Sequence, residues 1–205
     1  MNLQVTDLSK SFYRSPVFKS FSLQVESGEK IGLSGPNGSG KTTLLKMISG
    51  IMSVDSGEIK IGENNVSPDD TAARKNLYYL GHSVGLYPGL TGQENLSFIS
   101  GLYGNPETNI SAVLTKVGLD FNQNKLVKFY SQGMLQRLKL ATVLILDPDI
   151  LLLDEPLAGL DKEGIQLFES LFNEWRTGGK TMLIVSHDRH WLSSKTDRII
   201  ELKPC

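Results

Sequence analysis

The sequence has one cysteine, Cys205, and it is the last residue. A single thiol cannot build an internal disulfide framework or a cysteine-based metal site, so neither is expected to hold this fold together. Charge of one sign is lacking too: 21 Lys and Arg stand against 22 Asp and Glu, for a formal net charge of -1. Without a basic excess there is no electrostatic pull toward nucleic acid or anionic lipid, and no nucleic-acid partner is expected. Long hydrophobic runs are missing as well. The longest aliphatic stretch, in "ILLLDEP" from Ile150, is far short of the roughly 20 residues that cross a bilayer. The first thirty residues carry no basic segment followed by an apolar block, so no secretory leader is expected. There is no internal repeat, low-complexity tract or Pro-rich linker. These absences predict a soluble cytoplasmic protein with no direct membrane insertion, free to dock on a membrane protein. With 40% hydrophobic residues, the 205-residue chain is long enough to bury a core, and residues 1–205 are expected to form a single domain.

What is present begins with alternation. "NLQVTDL" and "FSLQVESG" alternate apolar and polar residues, the period of antiparallel strands joined by turns. Residues Glu29 to Leu33 read as a strand entering a glycine-rich loop, Thr42 to Ser49 as the helix after it, and "SGEIKIGENN" as a further strand. Ser67-Pro68-Asp69-Asp70 has the composition of a helix start. From Gly85 to Leu144 the strand signals fade. Thr91 to Glu94 fits a capping box, a helix is predicted from Glu107 to Val117, and another is predicted in "SQGMLQRLKLAT". Strand–helix alternation then returns with "ILLLD", "KEGIQLFESLFNEW" and "TMLIVSH". The alternation predicts an α/β fold with a mainly parallel sheet, an N-terminal antiparallel β subdomain and an inserted helical subdomain at about 85–144, and the glycine-rich "SGPNGSGKTTLL" between strand and helix points to a P-loop NTPase core.

Gly35-Pro36-Asn37-Gly38-Ser39-Gly40-Lys41-Thr42 matches G-x-x-x-x-G-K-[ST] in full, with a strand before it and a helix carrying Thr43 after it. Such a loop curls so that successive N–H groups face phosphates at the positive end of a helix. Lys41 is then expected to reach the β- and γ-phosphates and Thr42 to ligate Mg²⁺. In "ILLLDEP" four aliphatic residues deliver Asp154 to the carboxyl end of a strand, where open α/β sheets bind ligands. Asp154 is a candidate to hold Mg²⁺, chiefly through water. Glu155 beside it is a candidate general base for the attacking water, or else a surface acid after a strand. His187, ending "LIVSH", is a candidate for contacting the γ-phosphate, or else a capping histidine. Asp161 in "LAGLD" serves as a helix N-cap, an active-site group, or both. Ser131 in "YSQGMLQRLKLA" caps a helix whose free N–H groups would also attract an anion.

Together these motifs, in this order, resemble the ATP-binding cassette family, and the resemblance covers essentially the whole chain. The resemblance implies an Mg²⁺-dependent ATPase that powers a membrane transporter. In that family the signature is typically Leu-Ser-Gly-Gly-Gln, of which Tyr130-Ser131-Gln132-Gly133-Met134 keeps the Ser and the second Gly. It further implies that Ser131 and Gly133 bind the γ-phosphate of ATP held by another subunit, in a head-to-tail homodimer or heterodimer. An aromatic residue near the N-terminus commonly stacks on adenine there. Phe12 suits that position better than Tyr13, though a strand aromatic is the other reading. Where the family places a metal-contacting glutamine before the helical insertion, this chain has His82. "YLGHSVGLYPGLTGQENLSF" resembles the ATPase subunits of haem exporters in cytochrome c maturation. "YSQGM" looks more like the ATPases of small-molecule, drug or polysaccharide exporters. An integral membrane transporter subunit is the implied partner, with the ATPase peripheral on the inner face of the cell membrane. A soluble relative acting on nucleic acid or ribosomes is the alternative. It is disfavoured by the near-neutral charge and by the lack of a second cassette or coiled-coil insertion.

Overall fold

The computed structural model describes residues 1–13, 15–67, 73–81, 85–104, 109–122 and 124–205. In chain order the first half holds β1 (Leu3–Phe12), β2 (Ser15–Val25), β3 (Lys30–Ser34), α1 (Lys41–Ile48), β4 (Ser56–Ile61), β5 (Asn64–Asn65) and β6 (Leu77–Leu80). Then come the helices α2 (Gly92–Leu102), α3 (Ile110–Lys116) and α4 (Gln132–Leu146). The chain continues through β7 (Ile150–Asp154), α5 (Lys162–Thr177), β8 (Thr181–Val185), α6 (Arg189–Lys195) and β9 (Arg198–Glu201). The fold separates into two compact units. One comprises Met1–His82, Pro148–Glu155 and Arg176–Cys205, and the other Ser83–Asp147 and Pro156–Trp175.

The first unit contains both sheets. The antiparallel one has the order β2-β1-β4-β5, and its alternation is visible in β1, where Leu3 and Val5 are buried while Gln4 and Thr6 face out. The other sheet has the order β6-β7-β8-β3-β9, and every pairing in it is parallel. All five positions of β7 and all five of β8 are buried, which explains why "ILLLD" and "TMLIV" read as continuous apolar runs. Helix α1 buries Leu44, Leu45, Met47 and Ile48, a stripe at helical spacing. Because the strands are parallel and β7, β8 and β3 are neighbours, the loops leaving their carboxyl ends emerge side by side. Those loops carry Glu155, His187 and the glycine-rich segment.

Helices make up most of the second unit. The Thr91 hydroxyl accepts the Glu94 N–H at 3.2 Å while the Glu94 carboxylate accepts the Thr91 N–H at 2.7 Å, so the capping box is formed. The helix predicted from Glu107 begins instead at Ile110. Asn109 is the reason: its side chain accepts the Ala112 N–H at 3.1 Å and caps the helix there. Ser131 caps α4 by accepting the Met134 N–H at 3.2 Å. Buried in α4, Gln136 donates to the Pro156 carbonyl at 2.8 Å. Helix α5 buries Phe168, Leu171, Phe172 and Trp175, with the Phe168 ring 6.0 Å from both the Phe172 and Trp175 rings. Among the described residues no helix is long and apolar enough to cross a membrane. Of the expected helix start at Ser67, residues 68–70 lie outside the described residues, as does Glu107. Helix α6 and β9 follow the histidine motif as elements of seven and four residues, too short to show a hydrophobic period in the sequence.

Candidate active site

The glycine-rich loop leaves β3 and turns into α1 at Gly40, whose φ of 92° lies in the left-handed region. A Cβ there would approach the Phe18 ring to 2.8 Å, so a side chain is excluded by both conformation and space. The curl brings the Lys41 ammonium back across its own loop, where it donates to the Gly35 carbonyl at 2.7 Å and the Pro36 carbonyl at 2.9 Å. Only 8% of Lys41 is exposed. The ammonium is thereby held within the loop by two carbonyls, which a polyphosphate could replace as its partner.

Asp154, at the end of β7, is buried and both of its carboxylate oxygens are engaged. Oδ1 accepts the Thr42 hydroxyl at 3.2 Å, and Oδ2 accepts the Tyr79 hydroxyl at 2.8 Å. Thr42 and Asp154 thus offer two hard oxygen donors at one point, a set that fits Mg²⁺ completed by phosphate and water oxygens. Bound there, Mg²⁺ would neutralise charge on the β- and γ-phosphates. Two buried side-chain oxygens close in sequence to these groups, Ser39 Oγ and Glu155 Oε1, have no hydrogen-bond partner among the described residues. Buried polar atoms are rarely left so, and these fit a site that takes a polar ligand.

Glu155 sits just past β7 with φ 51°, a left-handed conformation unusual for a residue with a side chain. Its N–H still donates to the Val185 carbonyl of β8 at 3.0 Å. That turn directs the carboxylate toward the end of β8. Oε2 accepts the His187 N–H at 3.3 Å, and Oε1 lies 3.4 Å from His187 Nε2. Burial raises the Glu155 carboxyl above the ordinary carboxylate range, against the lowering effect of the hydrogen bond from the His187 backbone. A more basic carboxylate next to a solvent-facing histidine can take a proton from water.

The raised value has a stability consequence. The folded protein binds the Glu155 proton at pH values where the unfolded chain has already lost it, so stability falls as pH rises through that window. Without nucleotide, Glu155→Gln is therefore expected to raise the melting temperature at neutral pH and to lose that advantage below the ordinary carboxylate range. Melting curves across pH check this, and a constant difference at every pH would be the contrary result.

Phe12, Val17, Asn37, Gly38, Gly40, Lys41, Thr42, Thr43, Asp154, Glu155, Val185 and His187 line a single cavity of about 280 Å³. Lys41, Thr42, Asp154, Glu155 and His187, singled out from separate motifs, are therefore gathered at one place, with Phe12 at the same cavity. Tyr13, next to Phe12, is fully exposed at 102%. Ser131 and Gly133 belong to the second unit and do not line the cavity; Ser131 is an exposed helix cap there. Asp161 is engaged within that unit as well. Its Oδ1 accepts the Gly164 N–H at 2.7 Å and a hydrogen bond from Arg137 at 2.9 Å, which together hold its carboxyl below the ordinary range. His82 lies outside the described residues. The sequence did not single out Tyr79. Its one sequence signal is the period-two alternation of "LYYL", which puts Tyr79 and Tyr78 on opposite faces.

A family model for ABC transporter matches residues 18–158. The chain belongs to the ABC transporter family. The match runs from β2 past Asp154 and Glu155, so this ABC transporter ATPase carries its loop, helical insertion and acidic motif inside the shared region. It is 34% identical over 202 residues to a cytochrome c biogenesis ATP-binding export protein of Xanthomonas axonopodis pv. citri (strain 306), covering 98% of this chain and 94% of the relative. It is 34% identical over 188 residues to a lantibiotic transport ATP-binding protein of Streptococcus pyogenes, covering 90% and 80%. A linearmycin resistance ATP-binding protein of Bacillus subtilis (strain 168) is 30% identical over 201 residues; the match covers 96% of this chain but 65% of that longer protein. Among solved structures, an ATP-binding subunit of an ABC transporter superposes with a TM-score of 0.90 at 27% identity, covering 98% of this chain and 86% of the other. A dimeric ATP-binding cassette in a post-hydrolysis state with ADP and Pi superposes with a TM-score of 0.85 at 26% identity, covering 98% and 94%.

Proposed function

We propose that this ATPase is the nucleotide-binding subunit of an exporter, binds Mg-ATP in the cavity at the ends of β7, β8 and β3, and hydrolyses it in a head-to-tail dimer. One observation carries the chemistry: Lys41, Thr42, Asp154, Glu155 and His187 converge on one cavity. In this reading Lys41 and the loop N–H groups of residues 35–43 hold the phosphates, while Thr42 and Asp154 hold Mg²⁺. Glu155 takes the proton of the attacking water, and His187 orients it at the γ-phosphate. Ser131 and Gly133 present their helix start to the nucleotide of the second subunit, which agrees with the dimeric cassette of similar fold. The partner is an integral membrane transporter subunit, with the ATPase peripheral on the inner face of the cell membrane. Export is favoured because the relatives named above are named for export, lantibiotic transport and linearmycin resistance.

A haem-export ATPase of cytochrome c maturation is the second reading. It rests on the Gly81-His82 pair and on the 34% identity that runs nearly end to end with a cytochrome c biogenesis ATP-binding export protein. Copurification of the membrane subunit and identification of its neighbours decides between the two cargo classes.

In this reading Phe12 stacks on adenine, which its place among the residues lining the cavity supports. Removing one base-stacking ring costs about 1–3 kcal/mol, so Phe12→Ala is expected to weaken ATP binding by about 5- to 150-fold. Tyr13→Ala is expected to bind nearly as the wild type. Fluorescent-nucleotide titration of both variants is the measurement, and equal losses would remove Phe12 from this role.

A further inference from the structure

We infer that Tyr79 is a positioning residue for the metal site: its hydroxyl fixes the Asp154 carboxylate so that one oxygen alone faces the cation. The inference rests on the reading of Asp154 as an Mg²⁺ group. Tyr79 lies on β6 opposite Leu152 of β7, with 5% of its surface exposed, and its hydroxyl donates to Asp154 Oδ2 at 2.8 Å. Thr42 donates to the other oxygen, Oδ1, at 3.2 Å. The carboxylate is therefore held from two sides by groups 75 and 112 positions away from it. With Oδ2 committed to the phenol, Asp154 cannot rotate to offer both oxygens, and the oxygen beside Thr42 is the one left for the metal site.

The surrounding chain makes room for this ring. At Gly81, two residues further on, a Cβ would run into the Tyr79 ring and hydroxyl, with Cε1 2.6 Å away. Both features act on the same bond: one supplies the donor, and the other leaves the space the donor occupies. Mg²⁺ demands near-ideal octahedral geometry at short distances, whereas Ca²⁺ accepts more ligands at variable distances. Groups that orient a metal-binding carboxylate typically matter by 10–100-fold in metal affinity.

Tyr79→Phe keeps the ring and removes the donor. Its expected effect is a roughly tenfold rise in the Mg²⁺ concentration that half-saturates tight binding of a fluorescent ATP analogue. Affinity for the analogue in EDTA should stay at the wild-type value, and Ca²⁺-supported binding should shift less than Mg²⁺-supported binding. Gly81→Ala, which displaces the same hydroxyl without touching it chemically, should reproduce the Mg²⁺ shift. Asp154→Ala is the reference. If it abolishes the Mg²⁺ dependence while Tyr79→Phe titrates like the wild type, the positioning role is overturned and the reading of Asp154 stands. If Asp154→Ala leaves the Mg²⁺ dependence intact, the reading of Asp154 falls and the role of Tyr79 falls with it. A Tyr79→Phe protein that loses EDTA-state binding and Mg²⁺-state binding equally would reduce Tyr79 to a packing residue, also against the inference.

Discussion

Glu155→Gln is expected to bind Mg-ATP about as tightly as the wild type, to hydrolyse it about 10²- to 10⁴-fold more slowly, and to accumulate as a dimer. The amide keeps the size of the side chain and can still engage the His187 N–H through its carbonyl oxygen, so the turn at φ 51° and the cavity should persist. What it loses is basicity. The wild-type carboxylate is raised above its ordinary range by burial, which suits it to accept a proton at neutral pH, and an amide cannot do so. The substitution also removes a negative charge beside the γ-phosphate, so a nucleotide-bridged dimer loses both its route to hydrolysis and a source of repulsion. Two measurements separate the effects. Single-turnover hydrolysis reads the base, and size-exclusion chromatography with Mg-ATP reads the dimer. Hydrolysis at the wild-type rate would remove Glu155 from the role.

The second large effect concerns the proposed sharing of a site between subunits. Ser131→Arg is expected to abolish hydrolysis while leaving the ATP affinity of the isolated subunit nearly unchanged. Ser131 is not among the residues lining the cavity, and its local duty is to cap α4 through the Met134 N–H. Losing that cap costs about 1 kcal/mol, too little to unfold the chain. Placing a long cation at the helix start, by contrast, obstructs the surface offered to a second nucleotide. Lys41→Ala carries the opposite defect, since it removes the ammonium held over the loop carbonyls. A mixed dimer of the two variants has one site with an intact loop facing an intact helix start, and one site damaged on both sides. Mixing the two inactive proteins should therefore restore hydrolysis in the mixed dimers. If mixed dimers form, as shown by differently tagged subunits, and no activity returns, the site is not completed by the second subunit.

Motifs whose hydrogen bonds close within a few residues were readable in advance. The Thr91–Glu94 capping box and the Ser131 cap depend on side chains three residues apart, and both are formed. The strands "ILLLD" and "TMLIV" were readable because a parallel strand covered on both faces has no polar side to show. The start of α3 is set by Asn109, whose side chain caps the helix, and a short polar residue does not announce in the sequence whether it will make that bond. Asp161 was left between two roles in the sequence. Its engagement with Arg137, 24 positions earlier, belongs to the packing of α4 and the start of α5.

By itself, then, the sequence determined the class of fold and the glycine-rich loop motif, and it singled out Lys41, Thr42, Asp154, Glu155 and His187 as candidates for one site. Each of these is a local pattern of residue types with its own physical reason. Only the tertiary structure decided which strands are neighbours, and the order β6-β7-β8-β3-β9 is what brings three distant loops to one edge. It alone decided between two adjacent tyrosines. Tyr78 and Tyr79 are the same residue one step apart, and because side chains alternate along a strand, the parallel register with β7 sends Tyr79 to the buried Asp154. A register is a property of two paired segments, so no single stretch of the chain could announce it.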